Sequence, residues 1–227
     1  FIMRTFVIGD IHGAHRALVQ CLERSQFDYS KDHLICVGDG CDGWPETREA
    51  IDELLKIKNL VYILGNHDYY TLEWMKYGIA DEIWLSQGGK ATVQSYGNTP
   101  DRMHQTFLEN ALPYYVLDNK FFVHAGIDPQ QPIAQQGIDI FLWDRNLARL
   151  ALHYHDRAIE SPLTDYDEVY VGHTPISYRQ PVCGGGVWLM DTGAGWSGPL
   201  SMMDVHKKEV FQSDNVPSLY PGQRGRR

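Results

Sequence analysis

The chain of 227 residues predicts an α/β fold built on a largely parallel core, on three observations. First, five short runs, 5–10 (TFVIGD), 34–39 (LICVGD), 60–66 (LVYILGN), 121–126 (FFVHAG) and 169–174 (VYVGHT), are rich in β-branched or aromatic residues and as long as a buried strand. Second, amphipathic helical patterns lie between the first three: 14–26 puts Ala17, Leu18, Cys21 and Leu22 on one face, and 46–58 does the same with Ala50, Ile51, Leu54, Leu55 and Ile57. Strand, helix, strand at this spacing is a βαβ unit with a right-handed crossover. Third, every run breaks off at a polar motif, and open α/β sheets gather their ligands at the carboxyl ends of the strands. The five motifs are therefore expected to converge on one edge.

Further along, residues 68–112 read as mostly helical, interrupted by a Gly/Ser/Asn-rich stretch at 88–100. Because this block separates the third and fourth strands, it is expected beside the active edge as a small helical cap inserted into a single domain over 3–212. From 182 onward, a tight turn at 184–186 and runs at 187–191, 200–205 and 209–212 predict antiparallel strands. The tail, 213–227, carries one Asp and three Arg and is expected to be loosely ordered. Phe1 and Ile2 precede Met3, which is read as the native start.

Composition excludes several classes. Lys and Arg total 20 against 29 Asp and Glu, a net charge of −9. A chain this acidic offers no basic groove for duplex nucleic acid and no electrostatic hold on an anionic membrane. No apolar stretch reaches a membrane span, and no basic segment followed by an apolar run marks a signal peptide. Cys21, Cys36, Cys41 and Cys183 form no CxxC pair, so reduced thiols and a cytoplasmic setting are expected. The oligomeric state stays open.

The polar motifs carry the chemistry. Gly9-Asp10-Ile11-His12-Gly13 can turn a carboxylate and an imidazole toward one point. Gly38-Asp39 repeats the strand-then-carboxylate geometry, with Asp42 three residues on. Gly65-Asn66-His67-Asp68 packs an amide, an imidazole and a carboxylate into one loop, and the last two motifs add His124 and His173. Carboxylates and imidazoles together suit borderline divalent cations. The donors outnumber the needs of one ion, whereas two ions sharing a carboxylate use them economically.

In this order and spacing, GDIHG, GD-x-x-D, GNHD, HAG and GHT resemble the calcineurin-like metallophosphoesterase superfamily, and more closely the PPP-type serine/threonine phosphatases of the bacterial and phage lambda phosphatase group. The resemblance covers residues 4–212. It implies a four-layer α-β-β-α sandwich and two divalent ions, Mn²⁺ first, with Fe, Zn or Co as alternatives. Asp10 and His12 would bind the first ion, Asp39 would bridge, and Asn66, His124 and His173 would complete the second. His67 would be the general acid with Asp42 orienting its ring, and Arg145 would join Asn66 in binding the substrate phosphate. The implied reaction is hydrolysis of phosphomonoesters, nominally phosphoserine and phosphothreonine in proteins, by direct attack of a metal-bridging hydroxide. Chain-bound ligands are all present, which speaks against a binding module that has lost its chemistry.

One departure weighs on the substrate. The related pattern reads GD-x-x-D-R-G, its Arg a second phosphate clamp, whereas Gly43 stands at that place here. A lost bidentate donor weakens the hold on a dianionic monoester more than on a diester. Trp44, beside the gap, either packs under the loop or stacks on a base as a substrate-binding residue. The alternative activity is thus hydrolysis of a nucleotide, either a dinucleoside tetraphosphate or a phosphodiester such as a 2′,3′-cyclic phosphate. Tyr69 and Tyr70, directly after the GNHD motif, read as packing, with a place in the substrate wall as the minority reading.

Overall fold

The computed structural model describes residues 3–226, so Phe1 and Ile2 lie outside the described residues. The first sheet holds β1 (Thr5–Ile8), β2 (His33–Cys36) and β3 (Asn59–Tyr62), joined through α1 (His15–Arg24) and α2 (Thr47–Leu54). These three strands run parallel, as the βαβ pattern predicts. A helical insertion follows: α3 (Asn66–Tyr77), α4 (Glu82–Trp84), a π-helical turn at Leu85–Gly89, α5 (Lys90–Ser95) and α6 (Arg102–Glu109).

The second sheet is formed by β4 (Tyr114–Leu117), β5 (Lys120–Val123), then, beyond α7 (Ile138–Trp143) and α8 (Asn146–Asp156), by β6 (Glu168–Val171), β7 (Val182–Gly184) and β8 (Val187–Leu189). The chain returns to the first sheet with β9 (Pro199–Asp204) and β10 (Val210–Asn215) and ends its regular structure with α9 (Val216–Leu219). The strand orders are β10-β9-β1-β2-β3 and β4-β5-β6-β8-β7; the first sheet is parallel from β1 to β3 and antiparallel on its β9–β10 side, and the second is parallel at its centre and antiparallel at both edges.

Side-chain alternation along the strands builds the layers. Phe6, Ile8, Leu34 and Cys36 face α1, α2 and the insertion, while Val7 and Ile35 face the other way. On the second sheet, Phe121, Val123, Val169 and Val171 pack against α7 and α8, and Phe122 and Tyr170 face inward. The inward sets meet in a third core with Met190, Met203 and Val205, where the Phe122 and Tyr170 rings stack 4.7 Å apart. A strand buried on both faces has no polar side, which is why these runs read as continuous apolar stretches.

Two expectations shift, and the expected free thiols are found. Helices α7 and α8 have no counterpart in the sequence reading, and neither has β4, a half-exposed edge strand (Tyr114-Tyr115-Val116-Leu117) with a weak pattern. The segment after 213 is not loose: Val216 and Tyr220 are buried, and α9 packs on β10 and α1. All four cysteines are free thiols, three of them buried. No helix among the described residues is long and apolar enough to cross a membrane.

Candidate active site

Strand ends and tight backbone place the side chains. His12, Asp39, Asp42 and His173 all adopt positive φ (50°, 54°, 70° and 63°), a left-handed conformation that costs a non-glycine residue about 1 kcal/mol or more. Each follows a strand that ends two to six residues earlier, and the turn redirects its side chain to the sheet edge. The loops approach so closely that a Cβ on Gly65 would strike Asp39 Oδ1, and one on Gly172 would strike Asp10 Oδ1. Glycine at these two places is a packing requirement.

Two donor clusters result, Asp10 with His12 and Asp39, and Asp39 with His124 and His173. His12 Nε2 lies 3.8 Å from an oxygen of both Asp10 and Asp39, too far for a hydrogen bond. Its Nδ1 faces the carbonyls of Cys41 and Asp42 at 3.1 and 3.0 Å, and since carbonyls only accept, Nδ1–H donates and Nε2 turns a lone pair inward. His124 repeats this: Nδ1 donates to the Val37 carbonyl at 2.8 Å, while Nε2 sits 2.9 Å from Asn66 Oδ1 and 3.4 Å from Asp39 Oδ2. His173 Nδ1 lies 3.0 Å from the same Asn66 oxygen. Lone pairs therefore converge on lone pairs, an arrangement held together only by a cation or a shared proton.

Buried atoms without partners confirm the mismatch. His12 Nε2, Asp39 Oδ2, His173 Nε2 and Asp191 Oδ2 are buried and unpartnered among the described residues, a costly state unless a ligand completes it. The donor set fits two divalent ions that share Asp39.

The electrostatics agree. Burial drives His12 down to about 3, so it is neutral and ready to ligate at neutral pH. Burial, with His124 beside it, also lowers His173. Burial would raise Asp39, but His124, His67 and His12 outweigh it and hold its carboxyl well below the usual range. Asp10 is raised by burial, then by the charges of Asp191 and Asp39. Burial would lower His124, yet the Asp39 charge lifts it above its ordinary value.

His67 is the second residue of α3, and its Nδ1 donates to Asp42 Oδ2 at 2.8 Å. The insertion holds that carboxylate: Trp84 Nε1 donates to Oδ2 at 2.6 Å, and Thr92 and Thr71 hydroxyls donate to Oδ1 at 2.7 and 3.3 Å. The His67 ring stands edge-on to His12 with centroids 5.3 Å apart. Arg145, at the start of α8, is half-buried and donates from Nη1 to the His173 carbonyl and Thr174 Oγ1 at 3.2 and 3.3 Å.

The structure thus brings Asp10, His12, Asp39, Asn66, His124, His173, His67, Asp42 and Arg145 to one sheet edge. Trp44 takes the packing reading and not the substrate-binding one. It is only 1% exposed, its Nε1 donates to the Ala194 carbonyl at 2.7 Å and its ring stacks on Tyr220, so no substrate reaches it. Two residues gain a role that the motifs alone had not assigned. Asp68 accepts from the backbone N–H of Asp39, Gly65 and Cys41 and from the Tyr62 hydroxyl, fixing the Asp39 loop. Asp191, after β8, is buried beside Asp10 and Asp39 and is raised to about 6, by burial first and then by Asp39.

Comparison with known proteins decides the family. The model of the calcineurin-like phosphoesterases matches residues 3–197. The chain belongs to that family. Its relatives include symmetrical bis(5′-nucleosyl)-tetraphosphatases from Coxiella burnetii, 32% identical over 58% of this chain and 44% of theirs, and from Buchnera aphidicola, 30% identical over 68% and 52%. The chain spans about half the length of these curated relatives. Among solved structures, a candidate diadenosine tetraphosphatase superposes with a TM-score of 0.69 at 20% identity, covering 92% of each chain. A serine/threonine phosphatase from Saccharomyces cerevisiae gives 0.60 at 12% identity over 98% of this chain and 82% of its own. Both likenesses concern the fold. The expected superfamily stands, while these curated relatives carry the name of the alternative activity, not of a protein phosphatase.

Proposed function

We propose that this phosphoesterase cleaves a nucleotide, with symmetrical dinucleoside tetraphosphates as the leading substrate. The names of the relatives support this reading, and one observation in the site carries it: an aromatic shelf leads outward from the metal cluster. The Trp143 ring stands edge-on to His173 at 6.0 Å, Tyr70 meets Trp143 at 6.0 Å and Tyr69 meets Tyr70 at 6.0 Å. Trp143 and Tyr69 are 44% and 41% exposed. Exposed rings beside a phosphate-binding centre offer a nucleobase a face to stack on. Tyr69 and Tyr70 thus take the minority place in the substrate wall.

Asp10, His12, Asp39, Asn66, His124 and His173 would hold two divalent ions, Mn²⁺ in the leading reading, with Fe, Zn and Co suited to the same donors. Bound ions supply Lewis acidity, acidifying water and neutralising phosphoryl oxygens. Arg145 orients the phosphoryl group through a planar fork of N–H donors. His67, its ring fixed by Asp42, protonates the departing oxygen when that oxygen is a poor leaving group. Symmetrical cleavage adds water to phosphorus, breaks one bridging P–O bond and releases two nucleoside diphosphates, whose stabilised oxyanions need little help from an acid.

The test is a comparison of kcat/KM by the Mn²⁺-loaded protein on bis(5′-adenosyl) tetraphosphate, a phosphoserine peptide and adenosine 2′,3′-cyclic phosphate. The tetraphosphate is expected to be preferred. Faster hydrolysis of the peptide or the cyclic nucleotide overturns the proposal.

A further inference from the structure

We propose that Arg226 is a second phosphate-binding residue of this site, delivered by the segment after α9 to the gap beside Gly43. The segment is anchored before it arrives. The Tyr220 ring stacks on Trp44 with centroids 5.3 Å apart, its hydroxyl donates to Glu46, and the Arg16 backbone N–H donates to that hydroxyl at 3.0 Å. Gly225 then lies against the Trp44 indole and the Gly195 carbonyl, where a Cβ has no room, and the Arg226 N–H donates to that carbonyl at 2.7 Å. The buried Trp44 therefore serves as the floor on which this segment is seated.

From that seat the Arg226 side chain runs beside Gly43 to the Trp196 ring. A Cβ built on Gly43 would lie 3.1 Å from Arg226 Cγ, so the arginine fills the space that a side chain at Gly43 would enter. Its guanidinium carbon sits 4.5 Å over the Trp196 ring, itself 6.1 Å from the His12 ring. Among the described residues no carboxylate pairs with it within 4.0 Å. Its Nε donates to the Gln87 carbonyl of the helical insertion at 3.4 Å.

Arg145 and Arg226 are both half-buried, and an anion held between two such guanidiniums balances their charge. The buried carboxylates cannot do this once divalent ions occupy them. Arg145 approaches from the His173 side and Arg226 from the His12 side, so a phosphoryl group at the donor clusters meets a fork from each. The proposal rests on the phosphoesterase reading of the site but not on a nucleotide as substrate.

Calorimetric titration of the Mn²⁺-loaded full chain with inorganic phosphate tests it, with bound metal measured alongside. Arg226→Ala is expected to weaken phosphate binding about 10- to 100-fold while metal content and Tm stay at their wild-type values. Arg226→Lys, which keeps the charge and loses the fork, is expected to recover part of the affinity, and Arg224→Ala, two residues away and exposed, to leave it unchanged. Unaltered affinity in Arg226→Ala, or an equal loss in Arg224→Ala, overturns the proposal. The two readings separate cleanly. Loss of phosphate affinity without tetraphosphate hydrolysis removes the nucleotide and keeps Arg226, whereas hydrolysis with intact phosphate affinity does the reverse.

Discussion

Asp39 and Asp42 stand three residues apart on one loop, both buried and both on left-handed backbone, yet their surroundings are opposite. Asp39 Oδ1 accepts the His67 backbone N–H, while Oδ2 has no partner and faces imidazole lone pairs. Asp42 receives His67, Trp84, Thr92 and Thr71, four side-chain donors on two oxygens. A buried carboxylate left short of donors attracts a cation, and one saturated with donors holds a neighbouring ring in place. The same residue type on the same loop thus performs two jobs, assigned by what packs against it.

Asp39→Asn should break this division most severely. Asparagine fits the left-handed backbone and matches the shape, so the fold is retained. The shared anionic ligand is lost, and bound metal is expected to fall from two ions to fewer than one per chain, with kcat reduced about 1000-fold or more. Retention of two ions would refute the assignment of Asp39 as the shared ligand. Asp42→Asn should leave the metal content alone.

The difference between the two aspartates also marks how far the sequence reading reaches. Asp10, His12, Asp39, Asn66, His124 and His173 were legible because each follows an apolar strand within a few residues, and parallel strands bring such ends together whatever the intervening loops do. Asp191 follows the same rule, two residues after the end of β8 at Leu189. Trp84, Thr92 and Arg226 obey no such rule. They reach the loop from 42, 50 and 183 residues away, through helix packing and a stacked Tyr220 that no local pattern encodes. Trp44 stays open between two readings for a related reason, since an indole beside a glycine turn reads alike whether it faces a ligand or the chain's own later segment. The layered fold was legible through buried strands, and β4 was not, because a half-exposed edge strand lacks that signature.

A smaller effect sharpens the insertion's side of the comparison. His67→Ala removes the proposed acid and is expected to lower kcat about 100-fold on an alkyl phosphate and only severalfold on p-nitrophenyl phosphate, whose leaving group needs no proton. Trp84→Phe keeps the ring and deletes one donor to Asp42. It should reproduce the same leaving-group pattern at about 5- to 10-fold, with KM and metal content unchanged. Equal losses on both substrates would mean that Trp84 merely supports the fold.

The smallest effect, a dependence of stability on pH, sharpens the Asp39 side. In the metal-free chain Asp10 and Asp191 are raised and His124 is raised, the first two by burial and the last by Asp39. A group raised on folding adds stability below its unfolded value and loses that contribution as pH climbs through its folded value, about 6 for Asp191. His12, depressed to about 3, acts oppositely, but its contribution is complete above the ordinary histidine value of roughly 6.5 and adds no slope beyond it. Between pH 6 and 8 the metal-free chain should therefore lose stability. Divalent ions displace those protons and neutralise the carboxylates, so the loaded chain should hold its Tm over the same range. The gap between Mn²⁺-loaded and chelated protein is expected to widen by on the order of 5 °C from pH 6 to pH 8. A gap that narrows with rising pH would show that the unpartnered oxygens of the Asp39 cluster are not where the cations bind.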